Sequence, residues 1–168
     1  MAHKKQIEFC ISIKETFPEH FCNKKVLDVG SMDINGNERF LFTDCDYTGL
    51  DIGLGPNVDV VCPVHLHVVR YDTIVCVNTL EHDRYYRKSI PKMVELAIGI
   101  LMISVPGPGH PEHGTENISP ESSPHTNSYY KNLDPGELLF LLSPANNFNK
   151  WGFYHYKRGF EMYFWGIK

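Results

Sequence analysis

The sequence predicts an α/β domain built on a doubly wound, mostly parallel sheet that ends in an antiparallel hairpin. Three observations predict it. Short β-branched runs recur between residues 26 and 105, each closed by a polar or glycine-containing turn. These runs lack strict alternation of apolar and polar residues, as parallel strands covered on both faces do. The tail then changes character, with two aromatic runs flanking Lys157-Arg158-Gly159, a short hairpin connection.

Taken in order, residues 3–17 read as an amphipathic helix with Ile7, Cys10, Ile11 and Phe17 on one side, followed by a linker to residue 23. Strands are expected at 26–29, 47–52, 58–62, 73–77 and 98–105. Residues 82–99 have the length of a crossover helix, with Tyr86, Ile90, Met93, Val94 and Ala97 at helical intervals. Pro91 within it is expected to kink the helix or mark its restart. The stretch "DPGELLFLLS" reads as one more helix, with Asp134 as N-cap and Pro135 at its first position. Strands alternating with helices imply right-handed crossovers within one domain, 1–168.

Residues 106–133 fit none of these elements. They carry His110, His113 and His125 with Glu112, Glu116 and Glu121 on a backbone broken by prolines and glycines. A long connection without periodicity is either functional or disordered. Leaving the carboxyl end of the fifth strand, this one reads as an active-site loop.

Bulk properties narrow the partners. Of the 168 residues 42% are hydrophobic and 21% charged, as in ordinary globular chains. The net charge is −4 with Lys and Arg scattered, which disfavours nucleic acid as a partner. Cys10, Cys22, Cys45, Cys62 and Cys76 are odd in number and contain no CxxC. They read as free, mostly buried thiols in a reducing compartment, so a cytoplasmic location is expected. No apolar run is long enough to suggest a membrane span.

In open α/β sheets, ligands bind beyond the carboxyl ends of the strands. After the first strand, "DVGSMDINGN" places Gly30 and Gly36 around Ser31, Asp33 and Asn35. Its glycines let the backbone approach a ligand closely. Asp51 closes the second strand about 20 residues later, where a carboxylate suits two ribose hydroxyls. After the fourth strand come Asn78, Glu81 and His82. Singly, each has a plainer reading as a turn, a cap or a solvated side chain. A nicotinamide-dependent oxidoreductase would use similar features, but the G-x-G-x-x-G fingerprint is absent and the glycines stand six apart.

Together, "KVLDVGSMDINGN", "YTGLDIGLGPNVDVV", "YDTIVCVNTLEHD" and "HPEHGTENISPESSPHTNSYYKNL" resemble, in this order, the small class I S-adenosylmethionine-dependent methyltransferases of the type 11-like group. The resemblance covers most of residues 24–133. It implies a Rossmann-like, seven-stranded sheet and S-adenosyl-L-methionine as cofactor, released as S-adenosyl-L-homocysteine. Asp28 and the turn carrying Gly30, Ser31, Asn35 and Gly36 would line the methionine moiety. Asp51 and Ile52 would hold the ribose, Cys62 would flank the adenine, and Asn78 would complete the cofactor site. One departure is visible: Pro63-Val64 stands where many relatives have an acidic residue and alanine. Proline offers no N–H, so other backbone groups must recognise the adenine.

The expected reaction is methyl transfer to an oxygen or nitrogen of a small or medium polar substrate. Glu81, His82, His110 and His113 are the candidates for handling a proton, and His125, Tyr129 and Tyr130 for touching substrate. His82 also has a plainer role, packing against the cofactor. His110, Glu112, His113 and His125 have metal-ligating side chains, but the proline-broken loop leaves their geometry open, and no metal site is expected. A binding module without catalysis is the alternative.

Overall fold

The computed structural model describes residues 4–158 and 160–168. Seven strands form one sheet: β1 (Lys25–Val29), β2 (Asp46–Asp51), β3 (Val60–Val61), β4 (Tyr71–Val77), β5 (Ala97–Pro106), β6 (Lys150–Tyr156) and β7 (Glu161–Ile167). Their order is β3-β2-β1-β4-β5-β7-β6. β1 to β5 pair in parallel, and β7 lies antiparallel between β5 and β6. The chain steps outward from β1 to β3 and restarts at β4, so strand order reverses between β1 and β4. A ligand cleft belongs there.

Both sheet faces are apolar, which explains the missing alternation. Along β4, Val75 and Val77 pack with Ile100 and Met102 against Cys10, Ile13, Phe21 and Leu41. Ile74 and Cys76 point the other way, with Leu101 and Ile103, against Ile90, Met93, Leu138 and Leu142. The first face is covered by α1 (Lys4–Thr16), the second by α2 (Tyr86–Leu96) and α3 (Pro135–Leu142); a single turn, α4 (Pro144–Asn147), follows.

As expected, the β4–β5 crossover contains an α-helix, and among the described residues no other crossover does; β1–β2 and β3–β4 carry 3-10 turns at Arg39–Leu41 and Val64–Leu66. Asp33 explains the first, since its carboxylate accepts from Gly36 N–H (2.8 Å) and Asn37 Nδ2 (2.6 Å), a local turn that competes with helix. The buried stripe of α1 is Gln6, Cys10 and Ile13, while Ile11 faces solvent. Gln6 is drawn inward because its amide donates to Glu161 Oε1 at 3.0 Å. α2 runs through Pro91 as one helix, with the proline on its solvent face. Of the hairpin, Met162 and Phe164 on β7 are core, whereas Trp151 and Tyr154 on edge strand β6 are exposed. Of the five free thiols only Cys10 and Cys76 are buried. His3 and Gly159, expected in the first helix and the hairpin connection, lie outside the described residues.

The 106–133 loop closes on itself. Leu133 N–H donates to Pro106 O at 3.1 Å, and Thr115 and Ile118 exchange backbone bonds of 3.0 and 3.1 Å. No described helix is long and apolar enough to cross a membrane.

Candidate active site

A cleft of about 440 Å³ opens at the β1/β4 reversal. Its floor includes Gly30, Asp51 and Asn78, His82 stands on one side, and loop residues 122–127 form the facing wall. Gly30 has φ +80°, and a Cβ there would lie 2.0 Å from Thr79 Oγ1, so only glycine lets the first turn pass so close to the fourth. Asn78 takes the left-handed conformation (φ 48°) that ends β4 and begins the turn carrying Glu81 and His82.

Asp51 is held rigidly. Its Oδ2 accepts from Met32 N–H (3.1 Å) and its Oδ1 from Ile52 N–H (2.7 Å) and Gly53 N–H (3.3 Å). A carboxylate offers about four lone-pair sites, so acceptor capacity is left for a ligand. Ile52 and Cys62 also line the cleft, with Pro63 and Val64 beside them. Cys62 N–H donates to Asp51 O at 2.8 Å within the sheet, so Cys62 and Pro63 offer no amide for a purine edge. His125 belongs to the loop wall and sits over Gly53.

Four residues expected at the cofactor lie behind this surface or beside it. Asp28 is buried and accepts from Tyr47 Oη at 2.5 Å, and burial pushes its carboxyl up from its ordinary value. Ser31 is buried, and its carbonyl accepts from Asn57 Nδ2 at 2.9 Å. Asn35 and Gly36 form an exposed turn outside the cleft lining.

All four residues expected to handle protons meet in one cluster, in which Glu81 and His82 are buried and the loop's own His110 and His113 are half-buried. Glu81 is fully buried, and neither of its carboxylate oxygens has a hydrogen-bond partner among the described residues. His113 Nε2 stands 3.8 Å from Glu81 Oε1, and His82 Nε2 stands 4.0 Å from the same oxygen. His110 Nε2 faces a second carboxylate, Glu161 Oε1, at 3.5 Å. The Tyr130 ring packs edge-on against His82 and His113, with centroids 5.5 and 5.0 Å away. Tyr129 contributes its carbonyl, 3.2 Å from His82 Nδ1.

Burial dominates the electrostatics here. It pushes the Glu81 carboxyl up and Glu161 up to about 7, and it holds the His82 imidazole down at about 4. His82 is therefore neutral at pH 7 and a weak proton acceptor. Glu161 escaped the sequence reading. A signal was present, since it is the one acidic residue in the aromatic run "FEMYFWG". Thr79, Asp83 and Arg84 also line the cleft without having been expected there.

The fold has solved counterparts. Magnesium protoporphyrin IX methyltransferase (ChlM) from Synechocystis PCC 6803, with bound SAM, superposes with a TM-score of 0.67 at 13% identity, over 99% of this chain and 79% of that one. This chain has the class I methyltransferase fold. The N-terminal domain of EvdMO1, solved with SAH and D-fucose, gives a TM-score of 0.66 at 15% identity, over 99% and 84% of the two chains. The 1,6-didemethyltoxoflavin-N1-methyltransferase of Burkholderia thailandensis gives 0.59 at 15% identity, over 100% and 91%. No family model matches the sequence, and no curated protein sequence does. The likeness is one of methyltransferase fold, carried by topology rather than by shared sequence.

Proposed function

We propose that the chain transfers a methyl group from S-adenosyl-L-methionine to an oxygen or nitrogen of a small or medium polar substrate, releasing S-adenosyl-L-homocysteine. The observation that carries this reading is Asp51. Its carboxylate is fixed by three backbone N–H groups at the floor of a cleft at the switch point, with acceptor capacity left over. The residues present fit the cofactor. Gly30 keeps the turn after β1 free of side chain, and Asp51 keeps an acceptor site open for a ribose hydroxyl.

The sulfonium supplies an already activated methyl group, so this chain's residues need only bind, orient and exclude water. Alignment of two reactants accounts for about 7–11 kcal/mol of a barrier in favourable cases. Asp51 and Gly30 would orient the donor, and loop residues 122–127 would wall the cleft from water. His82 is the member of the buried cluster that reaches the cleft, and it would meet the polar acceptor group.

Calorimetric titration with S-adenosyl-L-methionine and S-adenosyl-L-homocysteine tests this. Asp51→Ala removes a charged acceptor and should weaken binding by about 1.5–3 kcal/mol, roughly 10–150-fold. A folded wild-type protein that binds neither compound would overturn the reading and leave a binding module built on the same fold.

A further inference from the structure

The cluster behind His82 has a feature that methyl transfer does not require. Two of its imidazoles are fixed in the same tautomer. His82 Nδ1 lies 3.2 Å from Tyr129 O, and His113 Nδ1 lies 3.2 Å from Pro111 O. A carbonyl oxygen only accepts, so each Nδ1 on it carries hydrogen and leaves Nε2 as the atom turned toward Glu81. Both Nε2 atoms face the same carboxylate oxygen, at 3.8 and 4.0 Å, beyond hydrogen-bond reach. Glu81 is fully buried with neither oxygen hydrogen-bonded among the described residues, an arrangement that is costly when left uncompensated. A metal ion set between them would engage the Glu81 carboxylate and both Nε2 atoms together.

We propose that Glu81, His82 and His113 bind a divalent transition metal of the zinc class at the wall of the cleft. Their donor atoms all lie within 4.8 Å of one another. Around a tetrahedral ion with bonds of about 2.0–2.2 Å, neighbouring donors stand roughly 3.4 Å apart. The two measured pairs thus need to contract by only about half an ångström. Two imidazoles and one carboxylate suit zinc and its neighbours rather than magnesium or calcium. The backbone carbonyls on both Nδ1 atoms are the outer partners that orient metal-bound histidines. Three protein donors leave a coordination position open, and His82 places the site at the cleft. On the methyl-transfer reading, on which this last step rests, the open position takes an oxygen of the acceptor, which makes an oxygen-bearing substrate the preferred class.

The test is calorimetric titration of chelator-stripped protein with Zn²⁺, without any methyl donor. The protein carries Cys22→Ser and Cys45→Ser to remove thiols outside the core. One ion per chain is expected, with affinity lowered at least ~100-fold by Glu81→Gln and by His113→Ala. Circular dichroism reports whether each variant is folded, and His113→Ala, on the loop, keeps the test decisive should Glu81→Gln fail to fold. Ligand-field absorption of bound Co²⁺ reads the coordination number directly. Absence of stoichiometric Zn²⁺ binding, or binding that both variants leave intact, overturns the proposal. Either result is independent of the Asp51 titration.

Discussion

His125 seats its imidazole directly on Gly53: a methyl group added to Gly53 would lie 2.0 Å from His125 Cδ2. The end of β2 and the far wall of the cleft are thus one packed contact. Gly53→Ala should lift the loop, at an overpacking cost of about 1–3 kcal/mol. Limited proteolysis should then cut within 106–133 about tenfold faster, since local opening governs such cleavage. Adding His125→Ala should restore the wild-type rate. Unchanged cleavage in Gly53→Ala would show that the loop does not rest on this contact.

Gly30→Ala tests the other close approach. The position combines φ +80° with Thr79 Oγ1 only 2.0 Å from the added carbon. Backbone strain and steric overlap together should cost about 3 kcal/mol, read as a lowered midpoint in urea. Thr79→Ala should recover only part of the loss, because the φ penalty remains.

Glu137 ties α2 and the loop's end to α3. Tyr86 Oη and Arg87 Nε each donate to its Oε1 at 2.7 Å, and Lys131 Nζ donates to its Oε2 at 3.1 Å. The Tyr86 hydroxyl, followed by Arg87 and Lys131, holds the Glu137 carboxyl down at about 2, from an ordinary value of 4.5. A carboxyl with a depressed folded-state pKa stabilises the fold above its unfolded pKa and loses that effect as pH falls. Glu137→Gln should therefore cost about 1–2 kcal/mol at pH 7, solvent screening having been discounted. The gap from wild type should shrink between pH 4.5 and 2, the two pKa values, and vanish below. Denaturation midpoints across this range check it; a gap independent of pH would contradict the assignment.

Asp134 caps α3 by accepting from Gly136 N–H at 2.8 Å and Glu137 N–H at 3.0 Å. Asp134→Ala should lower stability by about 1 kcal/mol, and Asp134→Ser should retain most of it. Thermal denaturation distinguishes the two.

What the sequence disclosed, and what it hid, follows the range of the interactions. The cap at Asp134 depends on neighbours two and three residues away, and the place of Asp51 at the end of β2 on the run that precedes it; both were legible. So were the runs that became β1, β4 and β5, because burial on two faces demands continuous apolar residues. The form of the β1–β2 connection was less visible, being decided by one side chain, Asp33, folding back onto Gly36 and Asn37. Least visible was the second carboxylate of the cluster. Glu81, His82, His110 and His113 were legible together as candidates, but the approach of His110 to Glu161 requires β7 to slot between β5 and β6. The burial of Gln6 was hidden for the same reason: it depends on a partner 155 positions away.

The bond from Leu133 N–H to Pro106 O brings both ends of the long loop to a single point on the sheet edge. Lys131 N–H on Glu81 O, at 2.8 Å, fastens that point to the turn after β4. Everything between is a cassette inserted at one place. Closure entropy grows by only about 0.6 kcal/mol for each doubling of loop length. Residues could therefore be added, removed or exchanged above Asp51 at little cost to the sheet. That separation of scaffold from loop marks the junction at 106 and 133 as the place where a different loop can be grafted while the floor of the cleft is kept.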